Sequence, residues 1–191
     1  MNTFVVADPN KCIGCRTCEI ACVVAHSDKN IFTSESSEIE FYPRLSVVKT
    51  AQVSAPIQCR QCEDAPCANV CPNGSITNKN GVVYIDRSTC IGCKTCLMAC
   101  PLGAIELVPE FNEGEKVVQQ GLKVVDEGEL CFKDRMVGNK CDLCIGRENG
   151  PACVEICPTK ALNIVQSDDL DVSVREKRKK RASELSNMKV K

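Results

Sequence analysis

The chain has no tryptophan, two tyrosines, five phenylalanines and a single histidine among its 191 residues. So little aromatic surface excludes a large conventional core, because aromatic side chains supply much of the area that cores bury. No run approaches the stretch of about eighteen apolar residues that a membrane-spanning helix needs. The opening, Met1-Asn2-Thr3-Phe4-Val5-Val6-Ala7-Asp8, lacks the basic start and apolar run of an export signal, and it has no twin-arginine pair. Charge of one sign is lacking as well. The formal net charge is −1, which argues against nucleic acid or a lipid surface as partner. There is no nucleophile–base pair, phosphate-binding glycine loop or Rossmann glycine pattern, so nothing supports independent catalysis. The chain reads as a cytoplasmic protein without an active site of its own.

Cysteine is abundant instead, with 17 in the chain. That density fits a disulfide scaffold or a metal protein, and a reducing compartment favours metal. Sixteen fall into four groups of four: Cys12, Cys15, Cys18 and Cys22; Cys59, Cys62, Cys67 and Cys71; Cys90, Cys93, Cys96 and Cys100; Cys141, Cys144, Cys153 and Cys157. Only Cys131 stands apart. Groups one and three read C-x2-C-x2-C-x3-C, group two C-x2-C-x4-C-x3-C and group four C-x2-C-x8-C-x3-C. In the last three groups the fourth cysteine precedes proline, as Cys71-Pro72, Cys100-Pro101 and Cys157-Pro158.

Three cysteines at this spacing sit on one tight loop and reach three corners of one [4Fe–4S] cube, while the fourth serves a different cube. Gly14 and Gly92 let the loop turn with its backbone close to the cluster, and the loop N–H groups face the sulfurs. Proline after the fourth cysteine ends the short helix that carries it. Zinc is the alternative, since C-x2-C pairs bind it well. Zinc, however, takes four thiolates from two such pairs and does not call for a third cysteine followed by x3-Cys-Pro.

The chain repeats itself. Cys12-Ile13-Gly14-Cys15-Arg16-Thr17-Cys18 returns as Cys90-Ile91-Gly92-Cys93-Lys94-Thr95-Cys96, and Ala21-Cys22 returns as Ala99-Cys100. Short strands are expected after Cys-Pro, at Gly103–Leu107 and Lys160–Ile164. A β-hairpin is expected around Asn80-Gly81. The repeating unit is strand, cluster loop, one-turn helix, strand. The expected fold is α+β, a polyferredoxin of two bacterial-ferredoxin-like modules. Residues 1–168 form the four-cluster domain, with 59–108 as the central module and 12–22 paired with 141–165 as the outer one. Within residues 27–56, Phe41 to Val48 is expected to be extended and to cover one face. Residues 109–135 are expected to form a second hairpin around Gly121. Residues 169–191 form a basic C-terminal helix. From Arg175 onward there are eight basic and two acidic residues, net +6, against a net −7 in the remainder. Leu185 and Met188 lie three apart on one side of that helix.

At this point the sequence resembles a known family: the four-cluster electron-transfer subunits of formate dehydrogenase, dimethyl-sulfoxide reductase, formate hydrogenlyase and hydrogen-dependent carbon dioxide reductase. The likeness rests on Cys-Ile-Gly-Cys-Arg-Thr-Cys opening group one and Lys140-Cys141-Asp142-Leu143-Cys144 opening group four, and covers roughly residues 5–166. It implies crossed ligation. Cys12, Cys15 and Cys18 take Cys157 as fourth ligand; Cys141, Cys144 and Cys153 take Cys22. Cys59, Cys62 and Cys67 take Cys100; Cys90, Cys93 and Cys96 take Cys71. The third set is complete, so four [4Fe–4S] clusters are expected. Group one departs from the pattern in that Val23, not proline, follows Cys22. The resemblance implies a wire that passes single electrons between a hydrogenase and a formate-oxidising or carbon-dioxide-reducing subunit. Self-assembly through the C-terminal helix is a further expectation. An accessory or maturation protein for the same enzymes, or a scaffold merely stabilised by metal, are the other readings.

Other residues near the ligands have two readings. Arg16, Lys94, Arg60 and Lys140 lie within one or two positions of ligands, where they raise local potentials or remain solvated loop charges. For Arg16 and Lys94 the two readings stand level, and for Arg60 and Lys140 the solvated reading leads. His26 reads as a polar helix end and Cys131 as an incidental thiol.

Overall fold

The structure is a computed structural model that describes residues 1–27, 33–34, 40–112 and 114–186. Strand β1 (Phe4–Ala7) leads into the first cysteine loop, from which helix α1 (Thr17–His26) emerges. Strands β2 (Leu45–Lys49) and β3 (Ser54–Gln58) form a hairpin that ends one residue before Cys59. Helix α2 (Pro66–Asn69), strands β4 (Ile76–Lys79) and β5 (Val82–Ile85), and helix α3 (Thr95–Ala99) carry groups two and three. Strands β6 (Glu106–Pro109), β7 (Phe111–Asn112), β8 (Glu115–Lys116), β9 (Val118–Asp126), β10 (Glu129–Asp134) and β11 (Met136–Asn139) follow. Helix α4 (Ala152–Glu155), strand β12 (Leu162–Val165) and helix α5 (Ser167–Ser186) complete the described chain. Small strands and short helices thus make up an α+β structure.

Proline sets the helix lengths. Helices α2, α3 and α4 span four or five residues and stop just before Cys71-Pro72, Cys100-Pro101 and Cys157-Pro158. A proline one position further along would clash with the preceding turn and offer it no N–H. Helix α1 meets no such stop, because Val23 follows Cys22. It runs ten residues, to His26, and is longer than the single turn expected.

All six sheets among the described residues are two-stranded and antiparallel. The pair β1–β12 joins the two ends of the cluster region, with Val5 opposite Ile164. The pair β6–β11 joins the strand after group three to the strand before group four. In the hairpin β4–β5, Lys79 pairs with Val82 across Asn80 and Gly81, both with positive φ. That is a two-residue type I′ turn, which Asn-Gly favours.

Two separate apolar clusters form the core. The first gathers Val5, Leu45, Val47 and Leu162 around Cys18, Cys22 and Cys153. The second gathers Ala65, Ile76, Val83, Ile85 and Ile105 around Cys67, with Cys71, Cys90, Cys96 and Cys100 packed against it. Helix α1 packs on α4, and α2 on α3. Cysteines from groups one and four thus share one core, and cysteines from groups two and three the other.

Three expectations change in detail. The stretch Phe41 to Val48 is a strand only from Leu45; Leu45 and Val47 face inward, whereas Phe41 and Tyr42 are exposed. Part of the 27–56 segment, residues 28–32 and 35–39, lies outside the described residues. The hairpin in 109–135 exists, but its turn is at Glu127-Gly128 and not at Gly121. Gly121 lies inside β9 beside Val118 and Lys123-Val124-Val125 on the same strand. Both Glu127 (φ 47°) and Gly128 (φ 90°) hold the left-handed conformation that a tight hairpin turn needs. Helix α5 starts at Ser167, two residues before the expected boundary. The Asp169 carboxylate accepts the Gln166 N–H at 2.9 Å, a cap that sets the first turn there. No residue of α5 is buried, and Met188 lies beyond the described residues.

Candidate metal centres

The repeated loops have one geometry. Gly14 (φ 65°) and Arg16 (φ 63°) turn the first, and Gly92 (φ 63°) and Lys94 (φ 71°) turn the second; helices α1 and α3 begin at the following threonine. A Cβ on Gly92 would stand 2.3 Å from the Met136 carbonyl oxygen, so both the φ and the close backbone approach require glycine.

The loops bring the predicted residues together across groups. Cys12, Cys15, Cys18 and Cys157 line one cavity. Cys90, Cys93, Cys96 and Cys71 line another. Burial, and then repulsion from Cys141, Cys22 and Cys144, drives the Cys153 thiol upward. Burial, and then repulsion involving Cys59 and Cys100, raises Cys62. The same two neighbours act on Cys67. Burial pushes Cys18 and Cys96 up to about 11 and Cys141 up to about 12. Thiols so placed become thiolates only when a cation compensates them. Cysteines of different groups also act on one another: Cys18 raises Cys153, Cys59 raises Cys141 and Cys67 raises Cys96. Cys131 joins none of them. It lies exposed on β10, with its thiol 3.6 Å from the Glu129 carbonyl.

Donors surround the sulfurs. Backbone N–H groups of Arg44, Gln61, Ala104, Gly138 and Ala161 lie 3.3–3.4 Å from Cys22, Cys59, Cys100, Cys90 and Cys157 respectively. The hydroxyls of Thr17 and Thr95 lie 3.3 Å from Cys15 and Cys93, and these bonds lower both exposed thiols. Thr159 lies 3.7 Å from Cys157. The repeat displays both threonines, but nothing in it marks them as sulfur donors. One buried hydroxyl, that of Ser75, lines the cavity of Cys71, Cys90, Cys93 and Cys96 and has no hydrogen-bond partner among the described residues. An unpartnered buried hydroxyl costs about 1–3 kcal/mol. A sulfide-bearing anion held by those four cysteines gives it an acceptor, so the residues fit a [4Fe–4S] group.

The four basic residues beside ligands differ from the expectation. Arg16 and Lys94, for which the two readings stand level, are exposed. Arg60 is half-buried; its guanidinium donates to the Val5 carbonyl at 2.9 Å and stacks over Phe4. Lys140 is 4 % exposed; it follows β11 directly, and its ammonium donates to the carbonyls of Val83 and Cys141. His26 is also more than a polar helix end. Its Nδ1 donates to the Cys22 carbonyl at 2.7 Å and its Nε2 to Asp142 at 3.0 Å, and Asp142 also pairs with Arg44. Burial opposes the charged ring, but the bonds to Asp142, Cys144 and Cys22 outweigh it and raise His26 to about 11. The donors of His26, Asp142 and Cys144 lie within 4.8 Å of one another. Cys144 belongs to the group-four set, so this trio ties α1 to that set and is not a separate metal site.

Thiols converging in fours, on short loops between small strands, define an iron–sulfur protein of ferredoxin-like type. Two family models match the chain: a 4Fe-4S dicluster domain over residues 50–126 and a 4Fe-4S binding domain over residues 9–24. The chain is 47 % identical over 182 residues to the electron transport protein HydN of Escherichia coli, covering 95 % of this chain and 98 % of that one. It is 39 % identical to an iron-sulfur protein of Rhodospirillum rubrum, over 93 % of this chain and 89 % of the other. It is 35 % identical to hydrogenase-4 component A of Escherichia coli, over 98 % and 94 %. The chain belongs to the 4Fe-4S ferredoxin-like family of electron-transfer proteins. It is an iron–sulfur electron-transfer subunit with four [4Fe–4S] clusters, and no described helix is long and apolar enough to cross a membrane.

Proposed function

We propose that the sixteen grouped cysteines bind the clusters in crossed sets and that the clusters form a single-file wire. The sets are Cys12, Cys15, Cys18 with Cys157; Cys141, Cys144, Cys153 with Cys22; Cys59, Cys62, Cys67 with Cys100; and Cys90, Cys93, Cys96 with Cys71. The observation that carries this reading is that Cys12, Cys15 and Cys18 line one cavity with the distant Cys157, and Cys90, Cys93 and Cys96 line another with Cys71; the repulsion that Cys18 exerts on Cys153, Cys59 on Cys141 and Cys67 on Cys96 supports the single file. Two modules follow, an outer one on the first apolar cluster and a central one on the second. When bound, each cluster supplies a site for one electron. The chain's own groups fix the spacing, exclude water from the inner thiols and donate hydrogen bonds to sulfur.

The partners are redox proteins of the hydrogenase and formate dehydrogenase kind, and the setting is the cytoplasm. The hydrogenase-4 relative and the motif resemblance support this. The protein carries electrons and has no catalytic site of its own. A maturation factor is the other function class; it would leave its enzyme, whereas a wire stays bound in fixed ratio. Helix α5 is a solvated basic arm that docks on acidic protein, including a second copy. Its charge split and its lack of buried residues support that role.

One anaerobic preparation tests the reading. It is expected to hold about sixteen iron and sixteen sulfide per chain, and to unfold when chelation removes them, since each apolar cluster is built partly of ligands. Zinc without sulfide, or a cooperative melt of the iron-free chain at the temperature of the loaded one, would overturn it. The same chain lacking residues 170–191 is expected to keep its iron and lose assembled size in light scattering. Unchanged size would make α5 a free end.

A further inference from the structure

Lys140 sits where the two halves of the molecule meet, immediately before Cys141. Its ammonium donates to the carbonyls of Cys141 (2.8 Å) and Val83 and lies 3.4 Å from Gln61 Oε1. All three acceptors are neutral, and among the described residues no carboxylate pairs with it. A buried ammonium is costly unless an anion lies near it. Gln61, 1 % exposed and lying between Cys59 and Cys62, holds it in place. The Gln61 backbone N–H donates to Cys59 Sγ at 3.4 Å, its Nε2 to the Cys141 carbonyl at 2.9 Å, and its Oε1 accepts the Val83 N–H at 2.9 Å. This network holds Gln61 at a positive φ of 51°. A bonded path therefore runs from the Cys59 sulfur through Gln61 to the backbone of Cys141, with the Lys140 ammonium beside it. The Val83 whose carbonyl it binds lies in the same apolar cluster as Cys67.

We propose that Lys140 is a shared buried cation that raises the reduction potentials of the two inner clusters, those held by groups two and four, and so makes the crossing between the halves the favoured resting place of an electron. Gln61 is the positioning residue that fixes the ammonium between them. Adding an electron adds one negative charge on either side of Lys140, and a buried charge acts there with little screening by salt. One electron leaves one inner site and arrives at the other; no bond is made or broken and no proton moves. The inference rests on the ligand sets above only in that Cys59 and Cys141 serve different clusters.

The test is an EPR-monitored redox titration of the loaded full chain and of Lys140→Met, Lys140→Arg and Gln61→Glu. Cys59→Ser and Cys141→Ser identify the signals of groups two and four. In Lys140→Met the reduced-to-oxidised ratio of those two signals at fixed potential is expected to fall about tenfold, 59 mV for a one-electron couple. The two outer signals should move far less. Lys140→Arg is expected to restore the ratio. Gln61→Glu, nearly the same shape, sets a carboxylate against the ammonium and is expected to lower the same two signals. Should Lys140→Met lose iron, Gln61→Glu carries the measurement. Loss of iron in both, with retention in Lys140→Arg, would make Lys140 a structural tie and overturn the proposal. So would four signals moving alike, or none moving. If Cys59→Ser and Cys141→Ser remove one and the same signal, the ligand sets fall. If they remove different signals and neither moves in Lys140→Met, the tuning role alone falls.

Discussion

The loops Cys12–Cys18 and Cys90–Cys96 are near copies in sequence and in shape, yet they are embedded differently. Both turn through glycine and a basic residue at positive φ, and both end on a threonine bonded to the second cysteine. Beyond them the likeness stops. The second loop packs its glycine against the backbone of Met136, and its helix stops at Ala99, ahead of Cys100-Pro101. The first packs its glycine against the end of the Lys49 side chain, and its helix runs on until His26 reaches Asp142. A cluster loop is thus a local structure specified by seven residues. The residue after the fourth cysteine then decides whether the helix ends there or extends to tie one group to another.

Giving group one the proline of the others removes that difference. Val23→Pro takes an N–H out of α1 and presses on the Glu19 carbonyl, at a cost of about 3 kcal/mol. The melting temperature should drop sharply and the tie from His26 to Asp142 should be lost, while iron content stays near normal because no ligand changes. A neutral Val23→Pro would mean that the extension of α1 contributes nothing.

The glycines sharpen the comparison further. Alanine at either position meets a backbone strain of about 1–2 kcal/mol. At Gly92 it also meets the Met136 carbonyl oxygen at 2.3 Å, which can move only with strand β11. At Gly14 the nearest obstacle is the end of the Lys49 side chain, which swings away, with the Ser54 hydroxyl next at 3.1 Å. Gly92→Ala is therefore expected to lower the melting temperature clearly more than Gly14→Ala. Equal losses would show that the surroundings of the two loops do not differ in the way described.

The smallest effect tests what the loops share. Thr17→Val and Thr95→Val each remove one hydroxyl bond to an exposed cysteine, worth about 1 kcal/mol. Each is expected to lower the potential of its own cluster slightly and by a similar amount. A shift at one site only would break the equivalence.

Much of this is legible from local signals. Cysteine spacing, the Cys-Pro helix stops and the Asn80-Gly81 turn act over a few residues, so the sequence displays them directly. The hairpin in 109–135 is legible but the position of its turn is not, because Gly121 and Gly128 are both glycines and only the backbone, with Glu127 and Gly128 at positive φ, selects the second. Lys140 and Arg16 look alike in sequence as charges next to ligands. Their different fates depend on β11 pairing with β6 and on Gln61, 79 positions away, neither of which is visible near Lys140. His26 reads as a helix end in the sequence because its partner Asp142 is 116 residues distant. The local half of each site is readable, and the long-range half is not.

The central claim is that ligand sets cross between distant groups, and the most direct test compares three single variants by EPR: Cys15→Ser, Cys157→Ser and Cys144→Ser. The crossed arrangement predicts that Cys157→Ser disturbs the same cluster signal as Cys15→Ser and leaves intact the one that Cys144→Ser disturbs. If Cys157→Ser instead disturbs the signal of Cys144→Ser, each group holds its own cluster and the account of the wire is wrong.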